Sequence, residues 1–511
     1  MDVLDFFQKH VASDLQDESI NPLATVDAIK FMYTFRSQIT PHVSQGVLQV
    51  LVHKLGASNY VIYNYAAIAL DRILVLTNDA RQPIISRETI VGLSKELVAH
   101  LFKLIEKDSA PEKIQENEFL MRCLMRVLIF IREGVLPIYD VVLINLINIT
   151  KVIRHNPSNP RFYHYLFESI GAVIRYSTPE KSDDLEKRLY GPFADILGED
   201  VAEFVPYVFQ LFAALLEANP SGTLTDLYTA LIPAIITPSL WSSKGNVTAL
   251  VRLLSAILPR GASHVVQNNQ VEPILGIFQK LISTKVQEAH GFDLLEAVVV
   301  NIPAQALQPY FIEIIRLILT RLQQSKTETL TLRFIRFYHL VSASDDKGLG
   351  ADFFINTSDQ VQNDIFKPLY LSIILPDTQK LSRPFDRKTA VVSFTKTLAD
   401  SQAFVSRYTK GWALTCEALL KLLINPPVPP AADDAILDAD IDELSFGVGF
   451  TQLNTCKRPP KDPYPEITDV KAWVGQYLRQ ADSRNNGRIS EYVQTRLSET
   501  AKQALLACMQ G

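Results

Sequence analysis

The chain has 511 residues, of which 47% are hydrophobic and 21% charged, with 20 glycines and a formal net charge of −5 from 50 basic and 55 acidic side chains. A disordered chain would carry fewer apolar residues and more net charge, and a nucleic-acid binder would need a concentrated basic surface, so both are excluded and no nucleic acid is expected as partner. The four cysteines, Cys123, Cys416, Cys456 and Cys508, form no CxxC pair. Neither a disulfide framework nor a metal site is therefore expected, and no cofactor is implied.

The opening MDVLDFFQKHVASDLQ is acidic and amphipathic and lacks the basic and apolar regions of a signal peptide. The first clear hairpin follows. Pro41–Gly56 begins with proline, where a first helical turn tolerates the missing amide, and ends at Gly56, which predicts a left-handed cap. In Asn59–Thr77 the residues Ile62, Ala66, Ala69, Ile73 and Leu76 fall at helical spacing, and Ala67, Leu70 and Leu74 widen that stripe. A helix apolar on two sides belongs inside a stack.

The pattern then recurs as pairs of helical segments: 86–106 with 115–133, 138–155 with 160–176, and 183–198 with 201–219. Further pairs fall at 223–237 with 245–258, 265–284 with 286–301, and 303–323 with 327–344, followed by less regular helices at 359–375, 386–400 and 405–424. Most second helices start about 40 residues apart, the length of a HEAT-type hairpin. The predicted fold is all-α, an α-solenoid of tandem antiparallel helix pairs forming a curved superhelical arch over 1–424. Apolar runs such as 141–149 fall short of the ~20 residues needed to cross a bilayer, so no membrane insertion is expected.

The pattern stops between 425 and 466, where NPPVPP precedes AADDAILDADIDEL and CKRPPKDPYP. Proline-rich runs stop helices, so this stretch is expected to be a linker or insertion. DADIDE at 438–443 fails as a calcium loop, because Glu443 and Gly449 stand where a glycine and a bidentate glutamate are needed. GVG at 447–449 is too short for a dinucleotide fingerprint. A last helical pair, near 467–481 and 489–509, is expected to cap the array within 467–511.

No HExxH or GxSxG motif occurs among the nine histidines and many serines, so no enzyme activity is expected. The candidates are instead partner-binding residues. Arg161, His164 and Glu168 share one helix face and read as a surface polar cluster. Lys244, Asn246, Arg252, Lys285, Lys326 and Arg333, with Lys280 and Arg336 beside them, lie on or near second helices. Equivalent positions of a solenoid align, so the basic ones are expected to form one strip. Asp438, Asp440, Asp442 and Glu443 are the acidic candidates, suited to a basic partner. The sequons at Asn148, Asn246 and Asn356 read as chance matches.

Several stretches carry a more specific signal. IYNYAAIALDRI resembles the second helix of a HEAT repeat. DAIKFMYTFRSQI at 27–39, NPSNPRFYHYLFESIGAVIR at 156–175, EFVPYVFQLFAALLE at 203–217 and GNVTALVRLLSAIL at 245–258 resemble the importin-α export receptors of the importin-β superfamily. ILGIFQKLISTK at 274–285, HGFDLLEAVV at 290–299, RLQQSKTETL at 321–330 and IDELSFGVGFTQL at 441–453 do so too, in the right order. The resemblance is to the C-terminal half of such receptors. It implies a solenoid that binds importin-α together with Ran-GTP, passes nuclear pore components, and shuttles between nucleus and cytoplasm. It also implies that the main Ran-binding repeats belong to the other half. A different HEAT scaffold, such as a phosphatase subunit or a coat adaptor, is the competing reading.

Overall fold

The structure, a computed structural model, describes residues 2–38, 41–424 and 451–510. Among these the chain is helical, with one isolated bridge between Thr77 and Pro83. The described residues form two compact units: 2–38, 41–222, 243–253 and 451–458 make the first, and 223–242, 254–424 and 459–510 the second.

The second helices of the hairpins are α1 (Tyr60–Leu74), α2 (Glu118–Ile131), α3 (Pro160–Ser177), α4 (Val205–Ala218) and α5 (Lys244–Gln267), followed by α6 (Glu288–Asn301) and α7 (Glu328–Ala343). After them come α8 (Pro384–Asp400) and α9 (Val470–Arg484). Within the first unit α1 packs on α2, α2 on α3 and α3 on α4; within the second, α6 packs on α7, α7 on α8 and α8 on α9. Each unit is thus a stack of hairpins with a layer of second helices, the solenoid the repeat spacing predicts.

The cause is local. In α1 the residues Ala66, Ala67, Ala69 and Leu70 are fully buried, and Ile73 and Leu74 nearly so, so small side chains let neighbouring helices close in on two sides. Asn side chains cap α1 and α3, with Asn59 accepting from the Val61 amide and Asn159 from those of Arg161 and Phe162. Pro160 follows at the first helical position.

Several boundaries differ from expectation. Gly56 does not adopt a left-handed cap; its amide bonds the carbonyl of His53 in a tight last turn. Within the expected 115–133, α2 begins only at Glu118; a short helix, Pro111–Gln115, precedes it, and a 3-10 stretch starts at Arg132, whose φ is +50°. Helix α5 runs past its predicted end at 258 and through Pro259, because Leu258 and Val265 are fully buried on either side of the proline. It is 24 residues long and apolar enough to cross a membrane by length and composition, contrary to expectation, yet half of its apolar window is buried as in a core helix. The expected helix 359–375 is broken by Asp364, whose φ is +57°, and resumes through a π-turn at Tyr370–Ile374. There Pro376 supplies no amide for a regular turn. The expected terminal pair is three helices, α9, Arg488–Arg496 and Glu499–Gln510, because Gly487 at φ +79° and an extended Leu497 interrupt it.

Candidate functional site: a seat for an extended segment on the second helices

Residues 161, 164, 168, 171 and 175 of α3 follow one another at steps of three and four, so they form a single stripe down the helix. The stripe is not a surface cluster. Arg161 is exposed and lies 3.7 Å from Glu118, but His164 and Glu168 are fully buried. What covers Glu168 is the chain's own segment 451–458, while His164 lies against Tyr165 and Tyr207.

That segment is gripped mainly by its backbone. Glu168 Oε1 accepts the Asn454 amide at 2.6 Å, and Oε2 accepts the Thr455 amide at 2.9 Å and the Thr455 hydroxyl at 2.7 Å. On α4, Gln210 accepts the Leu453 amide at 2.9 Å through Oε1 and donates to the Thr451 carbonyl at 3.0 Å through Nε2. Arg175 donates to the Lys457 carbonyl at 2.7 Å. On α5, Arg252 donates to the Cys456 carbonyl while its guanidinium is held by Glu217 at 2.7 and 3.1 Å. Glu168, Gln210 and Arg252 lie about one repeat length apart, the same register on three successive second helices. Gly171 lets the segment approach α3 closely: a Cβ there would sit 2.2 Å from the Thr455 hydroxyl oxygen.

Electrostatics fit the geometry. Burial alone would raise the pKa of Glu168, but the nearby His164 and the bonds from the Thr455 amide and hydroxyl outweigh it, so the group stays below the usual carboxylate value. His164 reaches Glu168 at 3.4 Å through Nε2 and the Tyr207 hydroxyl at 3.3 Å through Nδ1. Burial pushes the thiol of Cys456, within the seated segment, up to about 12, so it is inert there.

In the second unit, 460–467 is seated by different chemistry. Lys388 on α8 pairs with Asp462 at 2.6 Å and donates to the Tyr464 carbonyl at 2.7 Å. Ile467 is buried against Ala343 and Val392, with Tyr464 and Trp473 half-buried beside it. Here the arginines form a ladder between successive second helices: Arg333 with Asp293, and Arg336 with Glu296 at 2.8 Å and with Asp386 at 3.1 Å. Arg321 reaches from the helix ahead of α7 to Glu288 at 2.8 Å.

The ladder corrects the expected basic strip. Arg252, Arg333 and Arg336 are neutralised by acids on the neighbouring helix rather than presented to solvent, because half-buried guanidinium groups are costly unless paired. Lys280 donates to the Pro238 carbonyl and the Ser242 hydroxyl. Lys244, Lys285 and Lys326 are exposed, and Asn246 is buried. Asp438, Asp440, Asp442 and Glu443 lie outside the described residues. Sequence reasoning missed Gln210, Arg175, Gly171 and Thr455, as well as the acids Asp293 and Glu296. The signal was there: acids recur about one repeat ahead of the arginines they bind.

Stacked hairpins whose successive second helices seat a segment of the same chain define an α-solenoid. The chain belongs to the CAS/CSE family: a model described as CAS/CSE protein, C-terminus, matches residues 71–508, and one described as Cse1 matches residues 1–70. It is 37% identical to the importin-alpha re-exporter of Schizosaccharomyces pombe over 97% of this chain and 52% of that protein. The exportin-2 of Danio rerio is 32% identical over 99% of this chain and 52% of its own length. A solved structure, "The exportin Cse1 in its cargo-free, cytoplasmic state", matches with a TM-score of 0.83 and 32% identity, over 100% of this chain and 52% of that one. The chain therefore spans about half the length of these relatives.

Proposed function

We propose that this chain is the C-terminal part of a nuclear export receptor that binds importin-α together with Ran-GTP and returns importin-α from nucleus to cytoplasm. The observation that carries the reading is the 37% identity, sustained over 97% of the chain, to a protein named for importin-α re-export. The fold suits the task. Two ligands can be coupled only through differential affinity for at least two conformations, and small changes at each repeat interface of a solenoid add up to such states. In this reading the receptor shuttles through nuclear pores and acts by binding rather than by catalysis. The exposed Lys244, Lys285 and Lys326 and the acidic Asp438, Asp440, Asp442 and Glu443 are the proposed partner contacts, with the main Ran-binding repeats in the half of the relatives that has no counterpart here.

The test is a pull-down of importin-α with this chain and with a full-length version, each with and without Ran-GTP. Importin-α should bind the full-length receptor strongly and only with Ran-GTP, and this chain weakly with little dependence on the nucleotide. Absence of importin-α from every arm would contradict the reading. Tight binding by this chain that strictly requires Ran-GTP would overturn the division of labour between the halves.

A further inference from the structure

The second unit contains a cavity of about 410 Å³ walled by α6, α7, α8 and the segment 460–463. Phe385, prolines and aliphatic side chains make most of its lining, and the polar groups are Glu296, Arg336, Arg383, Asp386, Lys461 and Thr389. The wall at 460–463 stands because Lys388 anchors Asp462 and the Tyr464 carbonyl.

Glu296 is the unusual member. One carboxyl oxygen accepts from Arg336 at 2.8 Å, while the other, Oε1, is buried and has no hydrogen-bond partner among the described residues. An unmade bond on a buried oxygen is costly and calls for an explanation. Burial first, and then the neighbouring Asp293 and Asp386, push Glu296 up to about 7 against the pull of Arg336 and Arg333. Near neutral pH this carboxyl therefore spends much of its time protonated, as a donor with nothing to donate to.

The surrounding charges decide what it would meet. Arg383 and Lys461 are exposed at the rim and have no ion pair among the described residues. With Arg336 they set three cations against two carboxyl groups, of which Asp386 is already bonded by Arg336 and Glu296 is partly neutral. A cationic occupant is disfavoured. A bare inorganic anion would satisfy the rim but leave the apolar walls uncovered, whereas a carboxylate on an apolar-flanked peptide satisfies both.

We propose that this cavity is a binding site for a side-chain carboxylate in an acidic, apolar-flanked segment of a partner protein, with Glu296 donating its O–H to that carboxylate and Arg383 and Lys461 pairing with it. The bond is of the short, charge-assisted O–H···O⁻ kind. Binding takes up protons near neutral pH, because a second carboxylate beside Glu296 strengthens its hold on its own. The charged groups facing it are Asp293 on α6, Arg333 and Arg336 on α7, Asp386 and Arg383 at the start of α8, and Lys461. The site does not depend on the transport reading.

Isothermal titration of the full chain at pH 7, in two buffers of different protonation enthalpy, tests this. The probes are the blocked pentapeptide Leu-Asp-Leu-Glu-Leu, its isostere Leu-Asn-Leu-Gln-Leu, the basic Leu-Lys-Leu-Arg-Leu, and inorganic phosphate. The acidic peptide should bind at least tenfold more tightly than the others and take up a fraction of a proton. Arg383→Glu should weaken it at least tenfold, and Glu296→Gln should keep binding but abolish the proton uptake. Preference for the basic peptide with proton release, tighter binding of phosphate, equal binding of acid and isostere, no heat with any probe, or binding unchanged in Arg383→Glu would each overturn the proposal.

Discussion

The two units hold adjacent stretches of the same segment by opposite means. In the first, buried Glu168 and Gln210 read the backbone of 453–455. In the second, an ammonium group, Lys388, catches an acid and a carbonyl of 462–464. A grip on main-chain amides is indifferent to side-chain identity and, being buried, is little screened by salt. A grip through a partly exposed ion pair depends on one side chain and weakens as salt rises. A solenoid can thus vary the strength of its hold from repeat to repeat without changing its fold.

The sharpest way to break the contrast is Glu168→Ala, which leaves two amides and a hydroxyl without their acceptor. The first seat should weaken by about 3 kcal/mol, and labelling of Cys456, otherwise buried and inert, should quicken roughly a hundredfold. Peptide mass spectrometry after thiol labelling would show it; unchanged labelling of Cys456 would mean the seat does not hinge on Glu168.

The two units should also answer pH with opposite signs. Glu168 is held below the ordinary carboxylate value when folded, so its contribution is complete above that value and is lost as pH falls through the lower folded one. Glu296 is raised from 4.5 to about 7, so the unfolded chain binds fewer protons between those values, and the second unit loses stability as pH rises through that window. Glu296→Gln should flatten the loss, read as the pH dependence of amide exchange in α6–α8. A slope that survives the substitution would point to another group.

A smaller effect is expected at Lys388→Met, which should loosen 460–464 by about 1–2 kcal/mol, mostly by stripping the Tyr464 carbonyl of its donor. The difference from wild type should shrink in high salt. Limited proteolysis near Lys461 reports it, and unchanged cleavage would leave the seat to Ile467 alone. Smallest of all is Arg161→Ala. Its ion pair with Glu118 is long and exposed, so thermal melting should shift by no more than about 0.5 kcal/mol equivalent. A larger loss would mean Arg161 belongs to the buried stripe after all.

The repeat was readable because it is written in local chemistry. Asparagine caps, prolines at first turns and apolar steps of three and four place α1, α3 and α4 within a few residues of where they lie. The ends that were misplaced follow from tertiary burial overriding local rules, as where α5 continues through Pro259 because both flanks are buried. Helical spacing puts Arg161, His164 and Glu168 on one face of α3, but nothing in that spacing says that a segment almost 300 residues away covers part of that face and makes it other than the expected surface cluster. Arg333 and Arg336 were picked out for their charge, yet their acids, Asp293 and Glu296, are 40 residues upstream and meet them only once the hairpins stack.

The most direct test of the seat is native-state hydrogen exchange of 451–467 in the unmodified chain. The amides of Leu453, Asn454 and Thr455 should be strongly protected, at both low and high salt, while protection in 460–464 should fall as salt rises. Free exchange at Asn454 and Thr455 would contradict the account, since no segment held by Glu168 and Gln210 could open its amides to water so readily.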